Sequence, residues 1–243
     1  MTQPQLPKNV HRLEPGEPFS FTCHPAIDCF TDCCRQLELA LTPYDILRLK
    51  RQTGMDSAAF LAQYVIQEQE EEDAFPRFYL TMVNDGRASC VFVSDKGCTV
   101  YPGRPGACRA YPMGRAAIRQ EGNSMEEYFV LLREAHCHGF QEKELQTSAT
   151  YATDQGLHSY NEFNDIVATV LQHDTIRGGL QLTPQQIEYF VLALYDLDSF
   201  RKQLQEGILP HSASYKNELH KEDEPLLHFG VTWLHRELFD QCS

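Results

Sequence analysis

The chain has 243 residues, 42% of them hydrophobic, enough for one large domain or two with a real core. Its 21 basic and 34 acidic residues leave a net charge of −13, which repels a phosphate backbone and argues against nucleic acid as a partner. No apolar stretch approaches the roughly 20 residues needed to cross a bilayer, and Met1–Lys8 carries no apolar run of signal-peptide type. The expectation is therefore a cytoplasmic protein with reduced thiols and no membrane partner.

In chain order, a first cysteine cluster, Cys23-x5-Cys29-x3-Cys33-Cys34, leads into a helix. Thr42 can cap it, Pro43 fits its first position, Asp45 favours its exposed amides, and Gly54 is placed to end it. Ser57 is read as the cap of a second helix carrying Phe60, Leu61, Tyr64 and Val65. The acidic run from Glu68 to Asp73 reads as a solvated helix end or loop rather than a docking patch. The pattern then turns to strand, with Phe78–Val83, Ala88–Val93 and Cys98–Tyr101 forming a meander around Asp85-Gly86 and Gly97. Three prolines and two glycines between Tyr101 and Pro112 predict a rigid, irregular loop delivering Cys108.

Beyond that loop, Ala116–Ile118 and Tyr128–Leu132 favour a hairpin around Glu121-Gly122-Asn123, against the alternative of a helix capped through Ser124-x-x-Glu127. The segment ends in His136-Cys137-His138-Gly139-Phe140, where the glycine permits a sharp turn beside Cys137. After a polar stretch from Gln141 to Gly156 the pattern is helical. One helix carries Tyr160, Phe163, Val167, Val170 and Leu171; another runs from Thr183-Pro184 through Leu204 to a stop near Gly207; a last one follows Pro225. The fold class expected is α+β: a cysteine-rich metal-binding domain over residues 19–140, with short helices and a small antiparallel meander, then a helical C-terminal region over 150–241.

The cysteines carry the chemistry. Eight of the nine fall in two clusters or just beyond them, which gives Cys23, Cys29, Cys33, Cys34, Cys90, Cys98, Cys108 and Cys137 as candidate metal ligands, with Cys242 standing apart. Thiolate is a soft ligand suited to zinc or to an iron–sulfur cluster, and such sites gather thiolates from separate stretches of backbone. Disulfides suit small secreted domains, and plain core filling suits scattered cysteines; neither suits this pattern. Cys33 and Cys34, being neighbours, project in different directions and do not naturally chelate one ion. Eight thiolates suffice for two four-thiolate centres, or for one cubane with four cysteines left over. His24, His136 and His138 flank candidates but are read as supporting or exposed groups, and Arg35, Arg104, Arg109 and Arg115 as structural ones. Compact zinc sites use Cys-x2-Cys knuckles, which this chain lacks, so a [4Fe–4S] cluster is preferred and zinc is the alternative.

Phe21-x-Cys23, Cys29-x3-Cys33-Cys34, Leu41-Thr42-Pro43-x-Asp45-Ile46-x-Arg48-Leu49, Cys90-Val91-Phe92, Gly97-Cys98-Thr99-Val100-Tyr101 and Arg104-Pro105-x3-Arg109-x-Tyr111-Pro112 together resemble the bacterial YkgJ-type cysteine-cluster family of zinc- or iron-chelating domains. The usual opening of that family is Cys-x2-Cys-x2-Cys-Cys; here the first two gaps are longer. The resemblance implies a metal-binding or iron–sulfur domain. Three roles follow: electron transfer or redox sensing, with a redox partner; zinc or iron storage and delivery, with a metal-acceptor protein; or metal-dependent catalysis. No phosphate-binding glycine loop, Gly-x-Ser-x-Gly elbow or His-Glu-x-x-His helix is present, so no catalytic residue is assigned and the reading leans away from an enzyme.

Overall fold

Side-chain caps set the helix boundaries. In the computed structural model, which describes residues 6–120, 124–212 and 221–240, the Pro43–Thr53 helix starts in a complete capping box. Asp45 N–H donates to the Thr42 hydroxyl and Thr42 N–H to the Asp45 carboxylate, and Gly54 ends the helix in left-handed backbone at φ 71°. Thr183 and Gln186 build the same device at the head of Pro184–Leu194, and Thr147 with Thr150 at the head of Ser148–Asp154.

The chain is mixed α+β with a helical C-terminal region, and divides into two units. The first combines Met1–Leu37 with Met82–Asn161. It holds a three-stranded antiparallel sheet in the order Val10–Leu13, Met125–Leu132, Met113–Arg119, with Val10 opposite Leu132 and Tyr128 opposite Ala116. Leu13, Phe19, Phe21, Met113, Leu131, Tyr151 and Leu157 form its core. Two small hairpins carry cysteines: Met82–Val83 pairs with Ser89–Cys90, and Val93–Ser94 with Gly97–Cys98.

The second unit combines Glu38–Thr81 with Glu162–Ser243. It pairs Val65–Glu68 with Arg77–Leu80 and packs Pro184–Leu194, Leu197–Gln205 and Asp223–Leu238 around Phe190, Phe200, Trp233 and Leu234. Trp233 is buried and donates its indole N–H to the Pro210 carbonyl at 2.8 Å. Lys50 sits on the inner side of its helix, 6% exposed, and binds Asp198 at 2.7 Å and Asp223 at 3.2 Å; Arg201 completes the cluster by bridging the same two carboxylates.

Several expectations are corrected. Asp56, not Ser57, caps the second helix; Ser57 is buried and ties its hydroxyl to Asp196 and its N–H to Asp198. That helix stops at Tyr64, and β-branched Val65 opens a strand. The expected strands at 78–83 and 88–93 are each broken, by Thr81 and by a turn at residues 91–92, and the third is reduced to Gly97–Cys98. The helix expected from 184 to 207 is two helices, because Asp196 caps a new one at Leu197. The polar stretch 141–156 contains the Leu145–Gln146 strand and the Ser148–Asp154 helix. The last helix begins at Asp223, two residues before Pro225. The hairpin of 113–132 is as expected; its turn residues 121–123, like Cys242, lie outside the described residues.

Replacing Lys50 by Met leaves Asp198 to Arg201 alone and Asp223 to Arg201 and Arg51, the latter at 3.2 Å. A loss of about 1–2 kcal/mol is expected in urea unfolding of the second unit, since each carboxylate keeps an arginine partner. Burial alone would raise Asp198 and Asp223, but for Asp198 the hydrogen bond from Lys50, and for Asp223 that from Arg201, lead the interactions that outweigh it, and both are lowered from the ordinary carboxylate value. Lowered carboxylates stabilise the fold above the unfolded-state value, so the unfolding midpoint should hold near neutral pH and fall in acid below about pH 4.

Candidate metal centre

Four of the cysteines lie on one compact coil. After the Phe19–Ser20 strand the chain turns repeatedly, with Ile27 N–H to His24 C=O, Phe30 to Ile27, Asp32 to Cys29 and Cys34 to Thr31. The 3₁₀ turn Asp32–Cys34 closes it, and Arg35 reaches back to the Thr31 carbonyl at 2.6 Å and hydroxyl at 2.9 Å. Thr31 and Gln36 flank the Cys33-Cys34 pair in left-handed backbone, φ 71° and 52°, and Ala88 near Cys90 does the same at 46°. Each such non-glycine residue costs about 1–3 kcal/mol, strain of the kind that clusters at functional sites.

Cys137 comes to this coil through a close approach. A Cβ on Gly139 would lie 2.5 Å from the Phe21 ring and 3.0 Å from the Thr22 carbonyl, so only glycine lets the two backbones meet. Thr22 N–H donates to the Gly139 carbonyl at 3.1 Å, and His138 N–H to Cys29 Sγ at 3.2 Å. The result is a cavity of about 30 Å³ lined by Cys23, Cys29, Cys33 and Cys137 together with Phe21 and Tyr111. The Phe21 ring stands edge-on to Tyr111, Phe140 and Tyr151, at centroid distances of 6.3, 5.3 and 6.2 Å.

The other four follow from strand pairing and a short helix. An antiparallel bridge between Arg35 and Ser89, continued by Gln36 N–H to the Ala88 carbonyl, sets Cys34 alongside Cys90. Cys98 sits in the next hairpin opposite Val93. Cys108 is carried by the Gly106–Ala110 helix rather than by an irregular loop, since Pro102 and Pro105 occupy helix-start positions where a missing N–H costs nothing. Buried Arg104 and its neighbour Arg109 stiffen this segment: Arg104 bonds the Tyr101 carbonyl and Gln155, and Arg109 the carbonyls of Pro102, Arg104 and Gln155.

The thiols act on one another. The Cys34 thiol donates to Cys33 and lowers it to about 7, while the same bond raises Cys34 strongly. Partial burial, then the charges of Cys33, Cys29 and Cys137, push Cys23 up to about 11. Burial raises Cys90 and Cys98, against the pull of backbone N–H groups at Phe92 and Val93 for the first and at Val100 for the second, where Arg104 helps. Burial likewise raises Tyr111, whose hydroxyl is enclosed beside Cys137 and Glu134 without a hydrogen-bond partner of good geometry.

All eight candidate ligands therefore belong to the first unit, and among the described residues no two cysteines are joined in a disulfide. Among the same residues no three His, Cys, Asp or Glu side chains stand close enough to hold an ion as they are. The donor set still fits a soft metal: thiols gathered from five segments, a backbone N–H aimed at Cys29 Sγ, and the enclosed Tyr111 hydroxyl beside Cys137. Of the histidines, His136 lines the cavity and faces Glu134 at 3.8 Å, His24 faces Glu142 at 3.6 Å, and His138 contributes its backbone. Sequence reasoning gave no role to Tyr111 or Phe21 and took Gly139 for a turn residue; no spacing in the chain signals a close approach between residues 21 and 139.

A family model described as "putative zinc- or iron-chelating domain", of the CxxCxxCC type, matches residues 22–155, more than half of the chain. No curated protein and no solved structure matches it. No described helix is long and apolar enough to cross a membrane.

Gly139→Ala should drive the Phe21–Cys23 segment and the Cys137 turn apart. A loss of about 1–3 kcal/mol and reduced metal content are expected, read by thermal melting and metal analysis on the same sample.

Proposed function

Because the chain belongs to the CxxCxxCC family of zinc- or iron-chelating domains, we propose that its cysteines hold a [4Fe–4S] cluster and that the protein transfers electrons or senses redox state in the cytoplasm, with a redox protein as partner. The observation that carries this reading is the gathering of Cys23, Cys29, Cys33, Cys34, Cys90, Cys98, Cys108 and Cys137 into one unit without a Cys-x2-Cys knuckle. When bound, a cluster supplies a one-electron couple. The chain's own part is to hold and tune the thiolates. The His138 N–H donates to Cys29 Sγ, those of Phe92, Val93 and Val100 favour the charged forms of Cys90 and Cys98, and Arg104 adds positive charge beside Cys98 and Cys108. Hydrogen bonds to cluster sulfurs are among the levers that set a reduction potential.

A second reading is delivery of iron or zinc to an acceptor protein. It is favoured by the exposure of Cys23, Cys33 and Cys108, which leaves these thiols open to an incoming ligand.

Protein made and purified without oxygen should be brown, with iron and acid-labile sulfide in equal amounts. A colourless preparation with stoichiometric zinc and no sulfide would sink the cluster while leaving metal binding intact. Metal-binding free energy is folding free energy where ligands come from distant segments. Chelation should therefore melt the three-stranded sheet of the first unit while the Pro184–Leu194 and Asp223–Leu238 helices persist, as hydrogen exchange resolved along the chain would report.

A further inference from the structure

We propose that the eight thiols form two separate four-thiolate centres, Cys23, Cys29, Cys33 and Cys137 in one, and Cys34, Cys90, Cys98 and Cys108 in the other. This rests on the reading that these cysteines bind metal and adds how they divide. One soft-metal centre, whether zinc or a cubane cluster, is saturated by four thiolates, so eight exceed what a single centre takes.

The division runs between adjacent residues. Cys33 lines the cavity that Cys23, Cys29 and Cys137 also line, and Cys34 does not. Cys34 is instead carried alongside Cys90 by the Arg35–Ser89 bridge and the Gln36–Ala88 hydrogen bond. The left-handed residues Thr31 and Gln36 turn the backbone on either side of the pair, and the two sets meet there, with the Cys34 thiol donating to Cys33 and the Cys33 charge also felt at Cys90 and Cys98. Each set then draws on its own supports. The cavity set has the His138 N–H to Cys29 Sγ at 3.2 Å and the Tyr111 hydroxyl, enclosed beside Cys137 and Glu134 without a hydrogen bond of good geometry to either. A Cys137 thiolate holding a metal would be a stronger acceptor for that hydroxyl than the thiol. The hairpin set has the buried Arg104, which acts on both Cys98 and Cys108. The two sets also differ in origin. The first combines the opening coil with the turn after the three-stranded sheet; the second combines one coil residue with two hairpins and the Gly106–Ala110 helix.

The test counts centres. The full chain is loaded anaerobically with ferrous iron and sulfide, freed of excess by gel filtration, and assayed for both. The parent should hold about eight iron and eight sulfide per chain, two cubanes of ~4 iron each. Cys29→Ser and Cys137→Ser should each keep half, as should Cys34→Ser and Cys90→Ser, and the double variant Cys29→Ser/Cys90→Ser should keep none. A parent that saturates at about four iron overturns the division without recourse to any variant. So does a single variant that elutes as folded protein with no iron. If the parent takes no sulfide but binds two zinc ions, with the same halving among the variants, the division stands and the iron–sulfur reading fails.

Discussion

The hydrogen bond from Thr22 to Gly139, 3.1 Å long, is the contact on which the cysteine-rich unit depends. It joins the start of the opening coil to the turn after the sheet, more than a hundred residues later, and it exists because Gly139 has no Cβ to strike the Phe21 ring. Through it Cys137 reaches Cys23, and the His138 N–H reaches Cys29 Sγ. The same contact seals the aromatic cluster of Phe21, Tyr111, Phe140 and Tyr151, in which Tyr151 donates its hydroxyl to the Tyr111 carbonyl at 2.5 Å.

The two units solve the problem of stability differently. The second buries Phe60, Phe190, Phe200, Trp233 and several leucines at essentially zero exposure, and packs Gly230 so tightly that a Cβ there would lie 2.4 Å from the Ala193 carbonyl. Apolar burial on that scale, at about 1.5–3 kcal/mol per large side chain, needs no cofactor. The first unit spends much of its chain on turns, two-residue strands and non-glycine residues in left-handed backbone, and its cysteines lie at or near the surface. Such a segment holds its shape when ligands from distant stretches share a metal, because one centre then replaces many missing apolar contacts.

The electrostatics of the thiols point the same way. Neutral thiols close together are tolerable, but each ionisation raises its neighbours, as the charges of Cys33, Cys29 and Cys137 raise Cys23. Cys33 goes the other way, lowered by the proton that Cys34 offers it. A cluster of thiolates without a cation is therefore self-limiting, and a bound metal relieves that repulsion while the N–H groups at residues 92, 93, 100 and 138 stabilise the sulfur charge.

Much of this was legible in the chain. Thr42-Pro43-x-Asp45 and Thr183-Pro184-x-Gln186 announce helix starts because capping is a local reaction between a side chain and the next three amides. The cysteine spacing likewise announces thiolate chemistry, and the match over residues 22–155 agrees with it. What local pattern misreads is where a partner distant in sequence intervenes. Ser57 looks like a cap until Asp196 takes its hydroxyl, and the Tyr101–Pro112 segment looks irregular until its prolines fall at helix starts and two arginines tie its carbonyls to Gln155. The sequence by itself determined the clustering of the thiols, the capped helices and the mixed fold class, because these rest on residue type and short-range geometry. Only the tertiary structure decided which thiols become neighbours and that Gly139 and Tyr111 matter, because a strand register and a close backbone approach bring together residues that no spacing along the chain connects.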